Sequence, residues 1–208
     1  VWGNINSTSS TGASSRSDNS VKVSSGKFAG FSVAYQHGFG EQAGNNAKER
    51  FTAYQADYTA GKARLTYAGS RTNDPNGAKK YETTLITGSY DFGVAKLFAG
   101  YGEREQASLT NDVKIQYVGA TAPVSAKVSV MAQYTKVDNK AGVAADDADA
   151  YAVGALYAFS KRTTGYLLAG RVNNDGASNQ GLAAEAVVGG PSAGKDQTAY
   201  SVGIRHTF

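Results

Sequence analysis

Thr198-Ala-Tyr-Ser-Val-Gly-Ile-Arg-His-Thr-Phe208 alternates without a break. Tyr200, Val202, Ile204, His206 and Phe208 fall on one side, and Ser201, Gly203, Arg205 and Thr207 on the other. A period of two is the mark of a β-strand with one apolar and one polar face. A tilted strand of about ten residues is long enough to cross a bilayer. Closure against another strand would protect an alternating strand that runs to an aromatic last residue.

Composition is compatible with a sheet in a membrane and excludes several other classes. The chain has 208 residues, 25 glycines, 13 tyrosines and only 3 prolines. That balance suits many strands joined by tight turns. Cysteine is absent, which excludes disulfides, thiolate zinc sites and a catalytic thiol. Mean hydropathy is -0.38, and no apolar run is long enough for a transmembrane helix. A barrel escapes that test, because only alternate residues meet lipid. The net charge of +4 is too mild to indicate nucleic acid. The sequence opens at Val1 without a charged-then-apolar leader, as expected of a processed chain or a fragment.

Working back from the terminal strand, the same unit recurs. Residues 1–17 are polar, rich in Ser, Thr and Gly, and read as a loop. The pattern then predicts strands at 20–24, 31–36, 54–58 and 63–71, one ending at Tyr90, and others at 94–102, 114–121, 127–135, 151–159, 164–171 and 198–208. Turns at 26–30, 60–62, 91–93, 122–124 and 160–163 alternate with longer polar loops. Short turns on one rim and long loops on the other are the habit of transmembrane barrels; a soluble sandwich has no reason for it. The expected fold is therefore all-β, a transmembrane antiparallel up-and-down β-barrel whose strands occupy residues 18–208. The face assignment is clear for Val128, Val130, Ala132 and Tyr134 against Lys127, Ser129, Met131 and Gln133. It stays open near 114–118 and 164–171. Tyr35, Tyr58, Tyr90, Tyr101, Tyr134, Tyr157 and Tyr200, with Phe208, sit near strand ends at apolar phase. That suits a membrane-interface girdle, although tyrosine also has ordinary strand propensity.

Several phrases resemble the trimeric general porins of Gram-negative bacteria: Asp18-Asn-Ser-Val-Lys-Val23, Lys27-Phe-Ala-Gly-Phe31, Ser89-Tyr-Asp-Phe-Gly-Val-Ala-Lys96, Ser160-Lys-Arg-Thr163 and Val202-Gly-Ile-Arg-His-Thr-Phe208. Each is short, but the five occur in the right order across residues 16 to 208. The terminal strand also resembles the C-terminal signal strand of outer-membrane barrels. The resemblance implies a sixteen-stranded barrel, a homotrimer in the bacterial outer membrane, and a third loop folded into the lumen. About eleven strands is odd in number, whereas single-chain bacterial barrels have even numbers. The expectation is that N-terminal strands are missing or supplied by a complementary chain. Residues 1–17 would then end the inward-folded constriction loop.

Other motifs carry less. Gly189-Gly-Pro-Ser-Ala-Gly-Lys-Asp196 approaches a phosphate-binding loop, but Asp196 stands where the magnesium-binding hydroxyl belongs and a strand follows instead of a helix. Gly38-Phe-Gly40 opens no helix either. His37 and His206, the only histidines, sit at apolar phase and make no zinc site alone. Asp146, Asp147 and Asp149 have the oxygen chemistry for a hard cation, yet a solvated acidic loop is the simpler reading, and no metal or cofactor is expected. No Ser-His-Asp set assembles, so the expected protein is not an enzyme.

The basic residues carry the functional expectation. Lys22, Arg64, Lys96, Lys127 and Arg205 lie at polar phase within predicted strands, and a charge facing lipid would cost a few kcal/mol. They should line a wet lumen, with Arg16 at the constriction by resemblance. Rings of Arg and Lys favour anions, unless acidic groups of the inward loop neutralise them. The reading is a passive diffusion porin in contact with outer-membrane lipid, conducting ions and small anionic or neutral solutes. The alternatives are an outer-membrane barrel enzyme or a loop-mediated adhesin.

Overall fold

The computed structural model describes residues 19–40, 43–106, 112–139, 147–182 and 191–208. Among them there is no helix. Eleven strands form one antiparallel sheet in strict chain order. They are β1 (Ser20–Ser24), β2 (Phe31–Gly38), β3 (Phe51–Ala60), β4 (Ala63–Asn73), β5 (Lys79–Asp91), β6 (Lys96–Gln106), β7 (Val113–Pro123), β8 (Val128–Asn139), β9 (Ala148–Ala158), β10 (Thr163–Asn174) and β11 (Gln197–His206). The strand ends that flank residues 25–30, 61–62, 92–95, 124–127 and 159–162 lie at one end of the sheet, and those that flank 39–50, 74–78, 107–112, 140–147 and 175–196 at the other.

The register fixes the faces, because cross-strand partners share a side. Val33 faces Ala56, Ala56 faces Tyr67, Tyr67 faces Ile86 and Ile86 faces Tyr101. Val130 faces Ala155, Ala155 faces Leu167 and Leu167 faces Val202. This face is apolar and uncovered: Val33 is 58%, Leu167 60% and Val202 80% exposed. Only Val137, Ala148, Ala150 and Val172 are buried hydrophobics among the described residues. A soluble domain of this size hides far more, and so large an exposed apolar surface requires a cover. Lipid provides one for a sheet of this kind.

The strands are also staggered. Starting at Phe31, the first residue of β2, the partners run Tyr58, Leu65, Gly88, Ala99, Val118, Tyr134, Tyr151, Arg171 and Thr198. A row that begins beside a short turn thus ends beside a long loop. Strands tilted against the rims in this way are what closing a sheet into a barrel demands.

The ambiguous phases resolve here. Gln116, Val118, Leu167 and Ala169 take the apolar side, and Ile115, Tyr117, Tyr166 and Leu168 the inner one. Several expected boundaries need correction. Most strands run two to four residues further toward the long loops than their hydrophobic pattern does, as in β8, which continues through Lys136 and Asp138. The pattern stops where lipid stops, while the backbone ladder continues into water. Val94 belongs to the turn 92–95 and is 79% exposed. Lys127 is likewise a turn residue: its carbonyl accepts from Ala158 N at 2.8 Å, and β8 starts one residue later. β11 ends at His206, so Thr207 and Phe208 lie past the strand. Residues 1–17, with Arg16, and Asp146 lie outside the described residues.

Candidate functional site: the inner face of the sheet

The polar face collects the charges. Lys22, Arg64, Lys96 and Arg205 all lie on it, opposite the apolar positions of their strands. Arg104 joins them, paired with Thr83 and Val113. Its strand continues past the expected end at Gly102, which is why the pattern missed it; carrying the alternation on from Lys96, Phe98 and Gly100 finds it. Among the described strand residues, two carboxylates share this face. Asp57 accepts from Arg64 Nη2 at 2.9 Å and from Thr66 Oγ1 at 2.6 Å, and Gln55 Nε2 also donates to it. Asp91 stands across from Lys96 and accepts from Gly93 N at 2.7 Å. One cation is therefore compensated in place, one faces a carboxylate, and cations remain in excess.

Height along the strands sorts these groups further. Arg64, Lys96 and Arg205 lie within a residue or two of the short-turn rim, and Lys127 is on that rim. Lys27, Lys62, Lys161 and Arg162 occupy its turns. Arg104 lies toward the long-loop end of β6, and Lys22 lies midway along β1. The remaining acids of the strands point the other way. Glu82, Glu103, Glu105, Asp138 and Asp149 occupy the outer face near the long loops, interleaved with Arg71, Lys114, Lys136 and Arg171. There Lys79 Nζ pairs with Glu105 at 2.6 Å and Lys136 Nζ with Asp138 at 2.8 Å.

The inner face of β7 to β10 is different. No charged side chain stands on it among the described residues. Phe98 lies across Gly119, Tyr117 across Gly100 and Tyr166 across Gly203, each ring occupying the space a Cβ would take. Near the long loops, Val137, Ala148, Ala150 and Val172 form a small buried cluster, with Val113, Ile115 and Leu182 packed on it.

Leu182 comes from the connection between β10 and β11, and a clamp holds that segment down. Asn174, itself buried, donates through Nδ2 to the carbonyls of Gln180 at 2.9 Å and Lys195 at 2.8 Å. Its Oδ1 accepts from Ser178 Oγ at 2.9 Å and Gln180 N at 2.8 Å. Leu182 N donates to Gln197 Oε1 at 2.8 Å. Asp196 accepts from Asn174 N at 3.1 Å and Arg171 Nη2 at 2.8 Å, and these bonds hold its carboxyl below the usual carboxylate range.

The seven tyrosines singled out in the sequence all lie on the apolar face, in two rows. Phe31–Tyr58, Tyr90–Phe92 and Tyr157–Phe159 ring pairs mark the short-turn end, at 4.2, 4.6 and 4.9 Å between centroids. Tyr54–Tyr67 and Tyr134–Tyr151 mark the other, at 5.8 and 5.1 Å. Phe208 packs edge-on against His206 at 4.9 Å. His37 lies near Tyr35 and Phe39 on the same face. Among the described residues no cluster of His, Asp and Glu is placed to hold a metal.

Comparison with known proteins agrees with this geometry. The chain is 31% identical over 204 residues to outer membrane porin protein 32 of Delftia acidovorans, covering 93% of this chain and 57% of the relative. It superposes on the anion-selective porin from Comamonas acidovorans with a TM-score of 0.76 at 30% identity, over 92% of this chain and 60% of that one. An outer-membrane protein of Vibrio cholerae, OmpT, shares the fold at a TM-score of 0.68 and 19% identity, over 90% of this chain and 64% of that one. The chain thus spans somewhat less than two thirds of the length of these relatives. The family described as Gram-negative porin matches residues 1–177, and the chain belongs to that family.

Proposed function

We propose that this chain forms part of the wall of an outer-membrane channel that passes small hydrophilic solutes and ions by diffusion and prefers anions. The observation that carries the reading is the division of charge. The lipid-facing band is apolar, the inner face holds Lys22, Arg64, Lys96, Arg104 and Arg205 against Asp57 and Asp91, and the remaining strand acids face outward near the long loops. Low-dielectric walls focus the field of such fixed charges into the lumen, and basic linings favour anions. The name of the Comamonas relative, an anion-selective porin, points the same way. The mechanism has no chemical step, so the chain acts without catalysis or cofactor.

Two rows of tyrosine and phenylalanine on the apolar face suit the two membrane interfaces, with the short turns on the periplasmic side. Arg16 at the constriction, residues 1–17 as the end of the inward loop, strands beyond this chain completing the barrel, and a homotrimeric assembly complete the proposal; these rest on the family resemblance. The test is reversal potential across a salt gradient in planar bilayers. Anion preference should be strongest in dilute salt, because the Debye length shrinks from about 30 Å at 0.01 M to about 3 Å at 1 M. Arg104→Glu or Lys22→Glu should weaken it, and Lys161→Glu on a turn should weaken it less. Cation preference of the unaltered channel at low salt would overturn the charge reading.

A further inference from the structure

We infer that the short-turn rim is a docking surface for anionic glycerophospholipids of the leaflet it borders. The inference rests on the proposed placement of the sheet in a membrane and concerns which lipids gather around it. The turns 25–30, 61–62, 92–95, 124–127 and 159–162 carry Lys27, Lys62, Lys127, Lys161 and Arg162 and no acidic residue. All five cations are exposed, and none makes an ion pair among the described residues. Asp91, at the end of β5, stands on the inner face and accepts from Gly93 N. The opposite end of the outer face is built differently. There cations and acids interleave and pair with one another, as Lys79 does with Glu105 and Lys136 with Asp138.

The basic turns also present apolar side chains to the lipid side. The Phe92 ring stands against Tyr90 at 4.6 Å and the Phe159 ring against Tyr157 at 4.9 Å, and both tyrosines are outer-face residues. Phe28, next to Lys27 in the chain, is 83% exposed. An aromatic ring beside a cation suits the headgroup layer, where the ring sits at the apolar boundary and the cation reaches the phosphate. The long stems of Lys and Arg span that short step. The cations stand one or two to a turn, spread along the rim and not gathered into a patch. That spacing fits small anions held side by side and not a single folded acidic partner. Phosphate is common to zwitterionic and anionic headgroups, so it is the uncompensated positive charge of the turns that selects lipids with a net negative one.

The test reads lipid contact directly, on the folded protein in phosphatidylcholine vesicles. Trp2 is the only tryptophan; with Trp2→Phe and Phe28→Trp a single fluorophore sits on the rim. Brominated phosphatidylcholine and brominated phosphatidylglycerol are compared as quenchers, and the ratio of their association constants is the readout. A preference of about fivefold for phosphatidylglycerol is expected from one such cation at a charged surface. Lys27→Gln with Lys62→Gln should bring the ratio close to one, whereas Lys114→Gln, toward the long loops, should leave it unchanged. Should the Phe28→Trp protein fail to fold, Tyr90→Trp serves as the reporter on the same rim. A ratio of one in the reporter protein would overturn the inference and leave the rim to a soluble acidic partner. A preference that survives removal of Lys27 and Lys62, or an equal one at a Tyr134→Trp reporter, would overturn it as well. Quenching is read without conductance. A lipid preference in a protein that makes no channel therefore sinks only the functional reading, and a conducting, anion-preferring channel with a ratio of one sinks only this inference.

Discussion

Leu167→Arg separates a sheet in lipid from a sheet in water. Leu167 is central among the apolar outer positions of β10, between Gly165 and Ala169, with Arg171 above the band. It is 60% exposed. If the apolar face were solvated, an exposed leucine replaced by arginine would change stability by no more than about 0.5 kcal/mol. If lipid covers it, the guanidinium enters hydrocarbon near the midplane, at a cost of about 2 to 4 kcal/mol. At about 1.4 kcal/mol per factor of ten, the folding equilibrium falls roughly 30- to 1,000-fold. Gln133→Arg is the companion variant. Gln133 lies on the inner face of β8, where its amide reaches Thr135 Oγ1 at 3.0 Å, and there the new charge stays in water. The assay is reversible urea unfolding from lipid vesicles, monitored by tryptophan fluorescence and by gel mobility. A drop confined to Leu167→Arg is expected. Equal midpoints for the two variants would refute the assignment of the apolar face to the bilayer.

Further outcomes follow from single contacts. A Cβ at Gly119 would stand 2.8 Å from the Ala132 carbonyl oxygen and inside the Phe98 ring, so Gly119→Ala should destabilise by about 1 to 3 kcal/mol in the same unfolding assay. Asp57→Asn frees the charge of Arg64, whose partner it is at 2.9 Å, and should shift reversal potentials further toward anions. Asp196 is held below the usual carboxylate range, first by Asn174 N–H and then by Arg171. A depressed carboxyl stabilises the fold above its ordinary pKa and loses that contribution as pH falls through the lowered value. Protease nicking of the connection 175–196 should therefore rise on acidification below the ordinary carboxylate range, and Arg171→Met should bring the rise to higher pH.

Much of this was legible because alternation is a local signal. Val128, Val130, Ala132 and Tyr134 declare their face without any neighbour, and each strand was found by the same rule. Failures cluster where lipid no longer imposes the rule. Past Gly102, Thr135 and Arg171 the outer face carries Glu103, Glu105, Lys136, Asp138 and Asn173 in place of apolar residues, and only hydrogen bonding reveals that the strand goes on. Arg104 was lost for that reason. Lys127 erred at the other rim, where phase alone cannot distinguish the last turn residue from the first strand residue. The inner apolar cluster was illegible for a different reason: Val137 and Val172 on a wet face make sense only once Leu182, far along the chain, is seen covering them. The ambiguous phase of β10 has a separate source: Tyr166 and Leu168 stand on the inner face, Tyr166 over Gly203, so large residues occupy both sides of that strand.

Among the described residues each strand bonds to the strands before and after it in the chain, and that simple order has a consequence for assembly and ancestry. Every contact in the ladder closes over one connection, so the entropy of loop closure is met in small instalments and no long-range pairing has to form first. A hairpin can dock on an existing edge, leave a new edge of the same kind and await the next. The same grammar lets a hairpin be duplicated or deleted without rethreading any other strand, so the girth of such a wall changes by counting hairpins and not by redesigning a core.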